Sequence, residues 1–178
     1  ALVKQGKIGA YGVSVQTPNG ALRCLEPGFG SVIEGIYNVI DRRMEAEVFN
    51  KCKEQDVKFI ARVPLASGFL TSRVLKQTPE FLHDDVRNGL TQEEIELRTD
   101  AVRKVEFLNA LEGGISVSAI RFCISNPAVS VVVPGASSAS QIQGISLASR
   151  LGALADKKKE KIKLFKKYIY CFKNDFIK

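Results

Sequence analysis

The stretch that decides the fold is residues 129–141, VSVVVPGASSASQ. Its first five residues are mostly β-branched and apolar, which favours a buried strand. Pro134 and Gly135 then end the strand, and the serines that follow are typical residues for the start of a helix. The stretch therefore predicts a strand over residues 129–133 that leads into a helix over residues 138–147.

The same strand-then-helix order recurs upstream. Thr91 and Glu94 form a capping-box pattern that predicts a helix start, after a polar segment over residues 69–90 that is typical of a long loop. Further helices are predicted from Pro18, over residues 43–55 and over residues 116–125. Apolar runs predict three more strands, at residues 8–14, 31–38 and 57–63.

Strands that are apolar on both faces and alternate with helices indicate an α/β fold with a parallel sheet. A closed (β/α)₈ barrel needs about 200 residues or more, and this chain has 178 residues in four βα units. We therefore expect residues 1–178 to be a single domain that forms half of a TIM-type (β/α)₈ barrel, with a basic C-terminal helix over residues 157–178.

A half barrel leaves its two outer strands unpaired, and unpaired edges bind other strands. We expect the chain to self-associate through these edges, to pair with another half, or to be a portion of a longer chain. The start at Ala1 and the position of the only methionine, Met44, favour the last of these alternatives.

Charge and cysteine content narrow the classes of function. The net charge is +7, but residues 156–178 carry nine lysines against three acids, so the rest of the chain is close to neutral. A folded body without net charge predicts no nucleic-acid binding, and no apolar run is long enough for a membrane span. The four cysteines form no C-x-x-C pair, which predicts reduced thiols and a cytoplasmic location.

Four segments resemble the aldo-keto reductase family, in the family's order and spacing, and the likeness runs over roughly residues 4–170. The resemblance places them on strands five to eight of the family's barrel, which is its C-terminal half. It implies an oxidoreductase that reduces aldehydes or ketones with NADP(H). The segments are GKIGAYGVS at residues 6–14, EGIYNVIDR at 34–42, ARVPLASGFLT at 61–71 and VVVPGASSASQ at 131–141.

The resemblance also implies residues that hold the nicotinamide half of the cofactor. Ser14 would bind the carboxamide, and Glu34 stands where the family usually has a supporting Gln. A carboxylate accepts hydrogen bonds but donates none unless it is protonated, so this contact is changed. Arg62 stands where many members have a Tyr that stacks under the nicotinamide, and a guanidinium plane can stack in the same way. The loop with Pro64, Leu65 and Gly68 would line the pyrophosphate.

At the adenosine end, the resemblance implies contacts from the turn after the last strand. Gly135, Ala136, Ser138 and Gln141 match the family pattern in place, whereas Ser137 replaces an Arg that could bind a phosphate with two hydrogen bonds. Val15 and Ile145 depart from the pattern as well. Simpler roles stay open: Ser14 and Ser137 as caps, Arg62 as a paired surface residue, and the Pro64 and Pro134 turns as plain strand terminators.

The family's proton donor is a Tyr tuned by Lys, Asp and His, and these residues belong to strands two to four, which precede this chain's first strand. His83 is the only histidine and lies in a polar segment, so it is given no catalytic role. We expect no catalytic residues in the chain and no activity of the chain alone. The alternatives are a half-barrel relic that binds only a nucleotide or a protein partner, and a binder of nucleic acid or membrane that acts through the basic tail.

Overall fold

A computed structural model describes residues 2–26 and 29–165. Its centre is one four-stranded sheet in the order β1-β2-β3-β4, and every neighbouring pair is parallel. The sequence-based expectation of an α/β fold with a parallel sheet is confirmed. The strands are β1 Gly12–Val15, β2 Val32–Ile36, β3 Lys58–Arg62 and β4 Val129–Val133.

Helices fill the connections between the strands, because parallel neighbours need a crossover that returns the chain to the start of the sheet. Two helices separate the first three strands, three lie between β3 and β4, and two follow β4. They are α1 Pro18–Leu25, α2 Val48–Glu54, α3 Ser72–Lys76, α4 Gln92–Lys104, α5 Gly114–Ile124, α6 Ala139–Leu151 and α7 Asp156–Lys163.

The sheet has one covered face and one open face. On the covered face, Ile33, Phe59 and Ala61 are buried, and the Phe59 ring packs edge-on against Phe49 of α2 with 4.8 Å between centroids. On the open face, Val131 and Val133 of β4 are 52% and 48% exposed. Alternate residues of a strand point to opposite faces, so the core lies between the sheet and the helices on one side only.

The larger differences from the sequence-based prediction lie in three segments. The first strand was predicted from residue 8, but β1 begins at Gly12, where its pairing with Val32 begins, and residues 8–11 are exposed. The helix predicted over 43–55 is divided into a 3₁₀ turn, Arg43–Glu45, and α2. The segment predicted as a loop, 69–90, contains α3 and the 3₁₀ turn Val86–Gly89.

Two helix starts agree with the sequence in detail. Thr91 accepts a hydrogen bond from the Glu94 amide and Glu94 accepts one from the Thr91 amide, so the predicted capping box is present. Thr17 caps α1, and Pro18 occupies its first turn.

Of the basic helix predicted over residues 157–178, the structure describes α7, and its Ile162 is buried. The remaining part, from residue 166 onward, lies outside the described residues. Within residues 2–26 and 29–165, no helix combines the length and the apolar character needed to cross a bilayer.

Candidate functional site

The carboxyl ends of the parallel strands bring three sequence-predicted residues to the open face. Ser14 and Glu34 are register partners on adjacent strands, and Arg62 follows two residues after the next partner, Ile60. Ser14 is exposed and Glu34 and Arg62 are partly exposed. Val15, by contrast, is buried on the covered side, with 8% of its surface exposed. The carboxyl end of the sheet is where barrel enzymes of this type bind their ligands.

Arg62 is held at this edge by the end of β1. Its Nη2 donates to Gln16 Oε1 at 2.6 Å and approaches the Val15 carbonyl oxygen at 3.4 Å. Its Nε is buried and has no hydrogen-bond partner among the described residues. A buried donor without a partner costs about 1–3 kcal/mol. The Nε is enclosed by protein, but the Arg62 side chain as a whole is partly exposed, so its positive charge faces the open side of the sheet.

The loop after β3 has an unusual backbone. Val63, Ala66 and Ser67 have φ values of 55°, 49° and 55°, and Gly68 follows with 86°. A left-handed conformation is unfavourable for residues with a side chain, above all for a β-branched residue such as Val63. Such strain concentrates at functional sites. The backbone of the loop therefore indicates a ligand site beside it, independently of the resemblance.

A cleft of about 660 Å³ lies between this loop, the first turns of α5 and the start of α6. Its volume is within the range of roughly 300–1,000 Å³ that is usual for small-molecule and cofactor sites. Its lining residues are Val63, Pro64, Leu65, Ser67, Gly68, Thr71, Gly113, Ser116, Val117, Ile120, Val133, Gly135, Ser140, Gln141, Gly144 and Ile145.

Five sequence-predicted residues line this cleft, namely Pro64, Leu65, Gly68, Gly135 and Gln141. The other six do not: Ser14, Glu34 and Arg62 lie on the open face of the sheet, and Ala136, Ser137 and Ser138 lie in the exposed turn before α6. The structure therefore assembles the loop after β3 and the start of α6 around one cavity. Ile145, which departs from the family pattern, also lines it.

The turn before α6 is organised by local hydrogen bonds. Ser138 is the N-cap and its hydroxyl accepts from the Gln141 amide at 3.3 Å. Gln141 Oε1 in turn accepts from the Ser137 amide at 2.6 Å and from the Ser137 hydroxyl at 3.3 Å. Ser137 and Ser138 therefore have the capping contacts that a purely structural role would give them.

Sequence reasoning missed Arg87, which lies against the loop after β3. Its Nη1 donates to the Ser67 carbonyl oxygen at 2.9 Å, its Nε donates to Asp85 at 2.8 Å, and its guanidinium lies 4.4 Å from the centre of the Phe81 ring. Hydrogen bonds from Arg87 lower the pKa of the Asp85 carboxyl to about 2. Arg87 and Ser67 are 20 positions apart in the sequence, so no local sequence pattern predicts their contact.

The Tyr37 phenol is a buried titratable group of the hydrophobic core. Tyr37 donates to Glu45 Oε1 at 2.6 Å and accepts from Asn126 at 3.1 Å. Burial, together with the neighbouring Glu45 carboxylate, raises the pKa of the Tyr37 phenol above its ordinary value. A phenol that resists ionisation inside the core is a structural group. The described residues contain no cluster of His, Cys, Asp and Glu suited to a metal ion.

Comparison with known proteins decides which family this arrangement represents. The model of the "Aldo/keto reductase family" matches residues 1–166. This chain belongs to the aldo/keto reductase family. The family resemblance found in the sequence is thereby confirmed, whereas the assignment to the C-terminal half of the barrel stays a prediction.

Individual relatives agree with the family. The "Uncharacterized oxidoreductase YqkF" of Bacillus subtilis (strain 168) is 28% identical over 142 residues, which are 80% of this chain and 45% of that protein. The aldo-keto reductase AKR11C1 from Bacillus halodurans, in its holo form, superposes with a TM-score of 0.67 at 24% identity. That match covers 92% of this chain and 52% of the other.

The glycerol dehydrogenase AKR11B4 from Gluconobacter oxydans superposes with a TM-score of 0.74 at 22% identity and covers 99% of this chain and 54% of the other. These two structures show the fold alone. This aldo/keto reductase chain therefore spans about half the length of the relatives it matches and has the fold of half a (β/α)₈ barrel.

Proposed function

We propose that this chain is the cofactor-binding half of an NAD(P)H-dependent aldo/keto reductase and corresponds to the C-terminal half of the barrel. The observation that carries the proposal is the cleft bounded by the strained loop after β3 and by the start of α6. Both elements follow carboxyl ends of parallel strands, which is where such barrels bind their ligands.

The residues around the cleft suit a nicotinamide dinucleotide. Gly68 has no side chain, so its backbone forms part of the cleft wall. A Cβ at this position would come within 2.8 Å of Arg87 Nη1. The first turn of α6 favours the negative charge of a pyrophosphate. On the open face, Ser14, Glu34 and the partly exposed Arg62 guanidinium offer polar groups to the nicotinamide end. A bound nicotinamide would supply the hydride that reduces a carbonyl carbon.

The described residues offer no phenol suited to donate the proton. Tyr11 is 52% exposed and directly precedes β1, at the opposite end of the strand from its carboxyl end, and Tyr37 is buried in the core. We therefore assign the chain a binding role and place the proton donor on a complementary polypeptide. Small aldehydes or ketones are the proposed substrates of the assembled enzyme.

The complementary polypeptide would add four βα units and close the barrel. In the described residues, β1 and β4 are the outer strands of the sheet, and β4 presents Val131 and Val133 to solvent. The complementary half is either covalently continuous with this chain or a separate chain. The cysteines Cys24, Cys52 and Cys123 are free thiols, which supports the proposal of a cytoplasmic location.

Titration of the chain with NADH and NADPH, followed by nicotinamide fluorescence, tests the proposal. Binding at micromolar concentrations without turnover of aldehydes is the expected result. Absence of binding at millimolar concentrations of both would contradict it and favour the alternative of a half-barrel relic, which the changed residues Glu34, Ser137 and Ile145 suggest. Turnover by the chain alone would contradict the assignment of the proton donor to a partner.

A further inference from the structure

We infer that the cleft selects a dinucleotide without a 2′-phosphate, NAD(H), over NADP(H). The inference rests on the proposed function, because it concerns the same cleft. It departs from the resemblance, which implies NADP(H). The two cofactors differ only in a phosphate on the adenosine ribose, so the side chains available to that phosphate decide between them.

The lining of the cleft carries no charged side chain. Its polar members are hydroxyl and amide groups, namely Ser67, Thr71, Ser116, Ser140 and Gln141, and the rest are apolar residues and glycines. A phosphate monoester carries about 1.5 to 2 negative charges at neutral pH. Its strong protein contacts are charge-assisted hydrogen bonds from Arg or Lys. Wherever the ribose lies along this lining, the lining itself offers its phosphate no cation.

The resemblance implies that the adenosine phosphate lies at the turn before α6, where this chain has Ser137. This residue is exposed, and both its amide and its hydroxyl hydrogen-bond to Gln141 Oε1. The positive end of the α6 dipole remains, but it attracts the pyrophosphate that both cofactors share. The dipole therefore does not favour NADP(H) over NAD(H).

Arg87 is a cation that contacts a residue of the lining, Ser67, and its guanidinium already has several partners. It pairs with Asp85 through Nε and Nη2, donates to the Ser67 carbonyl oxygen and lies over the Phe81 ring. The Asp85 carboxylate offsets its charge. To bind a ribose phosphate, Arg87 would have to give up contacts that hold the loop after β3.

Neutral polar groups are suited to the ribose hydroxyl that NAD(H) has in place of the phosphate. A hydroxyl both donates and accepts hydrogen bonds, and the amide of Gln141 and the hydroxyl of Ser140 can each pair with it. Gln141 lines the cleft and is anchored to Ser137 through Oε1, so its Nε2 hydrogens can serve as donors. The lining thus matches the uncharged ribose better than the charged one.

Binding of the two cofactors to the purified chain, measured by nicotinamide fluorescence and by calorimetry, tests the inference. We expect NADH to bind at least about tenfold more tightly than NADPH, the difference that one missing charge-assisted hydrogen bond represents. Ser137→Arg restores a cation beside Gln141 and should tighten NADPH binding by about tenfold, with little change for NADH. Ser146→Arg adds the same charge to an exposed position of α6 outside the lining and should not change the ratio.

Each outcome bears on the inference. Tighter binding of NADH, with a shift toward NADPH in Ser137→Arg but not in Ser146→Arg, supports it. Equal binding of the two cofactors, or tighter binding of NADPH, overturns the selectivity while leaving the proposed function intact. Failure of both cofactors to bind at millimolar concentrations, with circular dichroism showing a folded chain, overturns the proposed function and the inference with it.

Discussion

Arg62 Nη2 lies 2.6 Å from Gln16 Oε1, and this contact joins the end of β3 to the residue that follows β1. Strand β2 lies between β1 and β3 in the sheet, so the guanidinium reaches across its carboxyl end. The Arg62 Nε remains buried and unpartnered among the described residues. The side chain is thus oriented by the protein, and it remains partly exposed on the open face.

We predict that Arg62→Met weakens NADH binding by about tenfold, because it removes a charged, partly exposed hydrogen-bonding group from the open face of the sheet. The free energy of unfolding should change little, since the methionine also relieves the cost of the unpartnered Nε. Gln16→Ala is the matched control. It removes the anchor but keeps the guanidinium, so it should weaken binding less. Equal binding by Arg62→Met and the unchanged chain would contradict the role.

The sequence predicted the parallel sheet because buried parallel strands are continuous apolar runs, and β4 was predicted with its observed bounds. The start of β1 was not predictable in the same way. Ile8 is apolar, but residues 8–11 have no neighbouring strand in register and remain exposed. Local hydrophobicity indicates that a strand can form, whereas pairing decides where it begins.

The site was predictable only where it consists of backbone turns next to strands. Gly68 and Gly135 both line the cleft, since a turn that follows a strand has a fixed place at the sheet edge. Their contact with a cofactor stays a prediction. The left-handed backbone of Val63 and the contact between Arg87 and Ser67 were not predictable. They depend on long-range contacts that no residue pattern encodes.

We predict that Gly68→Ala destabilises the chain by about 1–2 kcal/mol, because Gly68 has a φ of 86° and a side chain there is unfavourable. The added Cβ would also come within 2.8 Å of Arg87 Nη1 and disturb its contact with Ser67. Urea unfolding measures the effect, and NADH binding should weaken in parallel.

Gly89→Ala is the control for this substitution, because Gly89 ends the 3₁₀ turn Val86–Gly89 without a positive φ and a Cβ there meets no atom within 4 Å. It should leave both the free energy of unfolding and NADH binding close to those of the unchanged chain. If the two alanine variants were equally stable, the loop after β3 would not depend on the conformation of Gly68.

We predict that the free energy of unfolding falls between about pH 9 and pH 11. Burial raises the pKa of the Cys52 thiol to about 11 from an ordinary value of 9.0. In this window the unfolded chain releases the proton and the folded chain keeps it, so rising pH favours unfolding. Burial raises the pKa of the Cys123 thiol and of the Tyr37 phenol as well, in the same direction.

Urea unfolding at a series of pH values checks this dependence. Cys52→Ala should lose part of the fall, because it removes one of the titrating groups. Val48→Ala, on the same helix and also buried, should lower stability at every pH but keep the full slope. An unchanged slope in Cys52→Ala would show that the Cys52 thiol does not contribute to the alkaline loss of stability.

Strand β4 is an outer strand of the sheet, and its Val131 and Val133 are 52% and 48% exposed. At high concentration we expect the chain to self-associate, because an apolar outer strand whose outer edge is unpaired binds other strands. Val131→Lys should weaken this association by at least about tenfold, since a buried, unpaired lysine would cost more than one hydrogen bond. Sedimentation velocity over a range of concentrations measures the change.

Leu97→Lys is the matched control, because Leu97 is an exposed apolar residue, 45% exposed, on α4 and away from the sheet edge. Association that is lost in Leu97→Lys but kept in Val131→Lys would place the contact on α4 and contradict the edge. If Val131→Lys alone prevents association, the same substitution should also prevent a complementary half from restoring carbonyl reduction. The surface that makes the isolated chain associate would then be the surface that the enzyme uses to close its barrel.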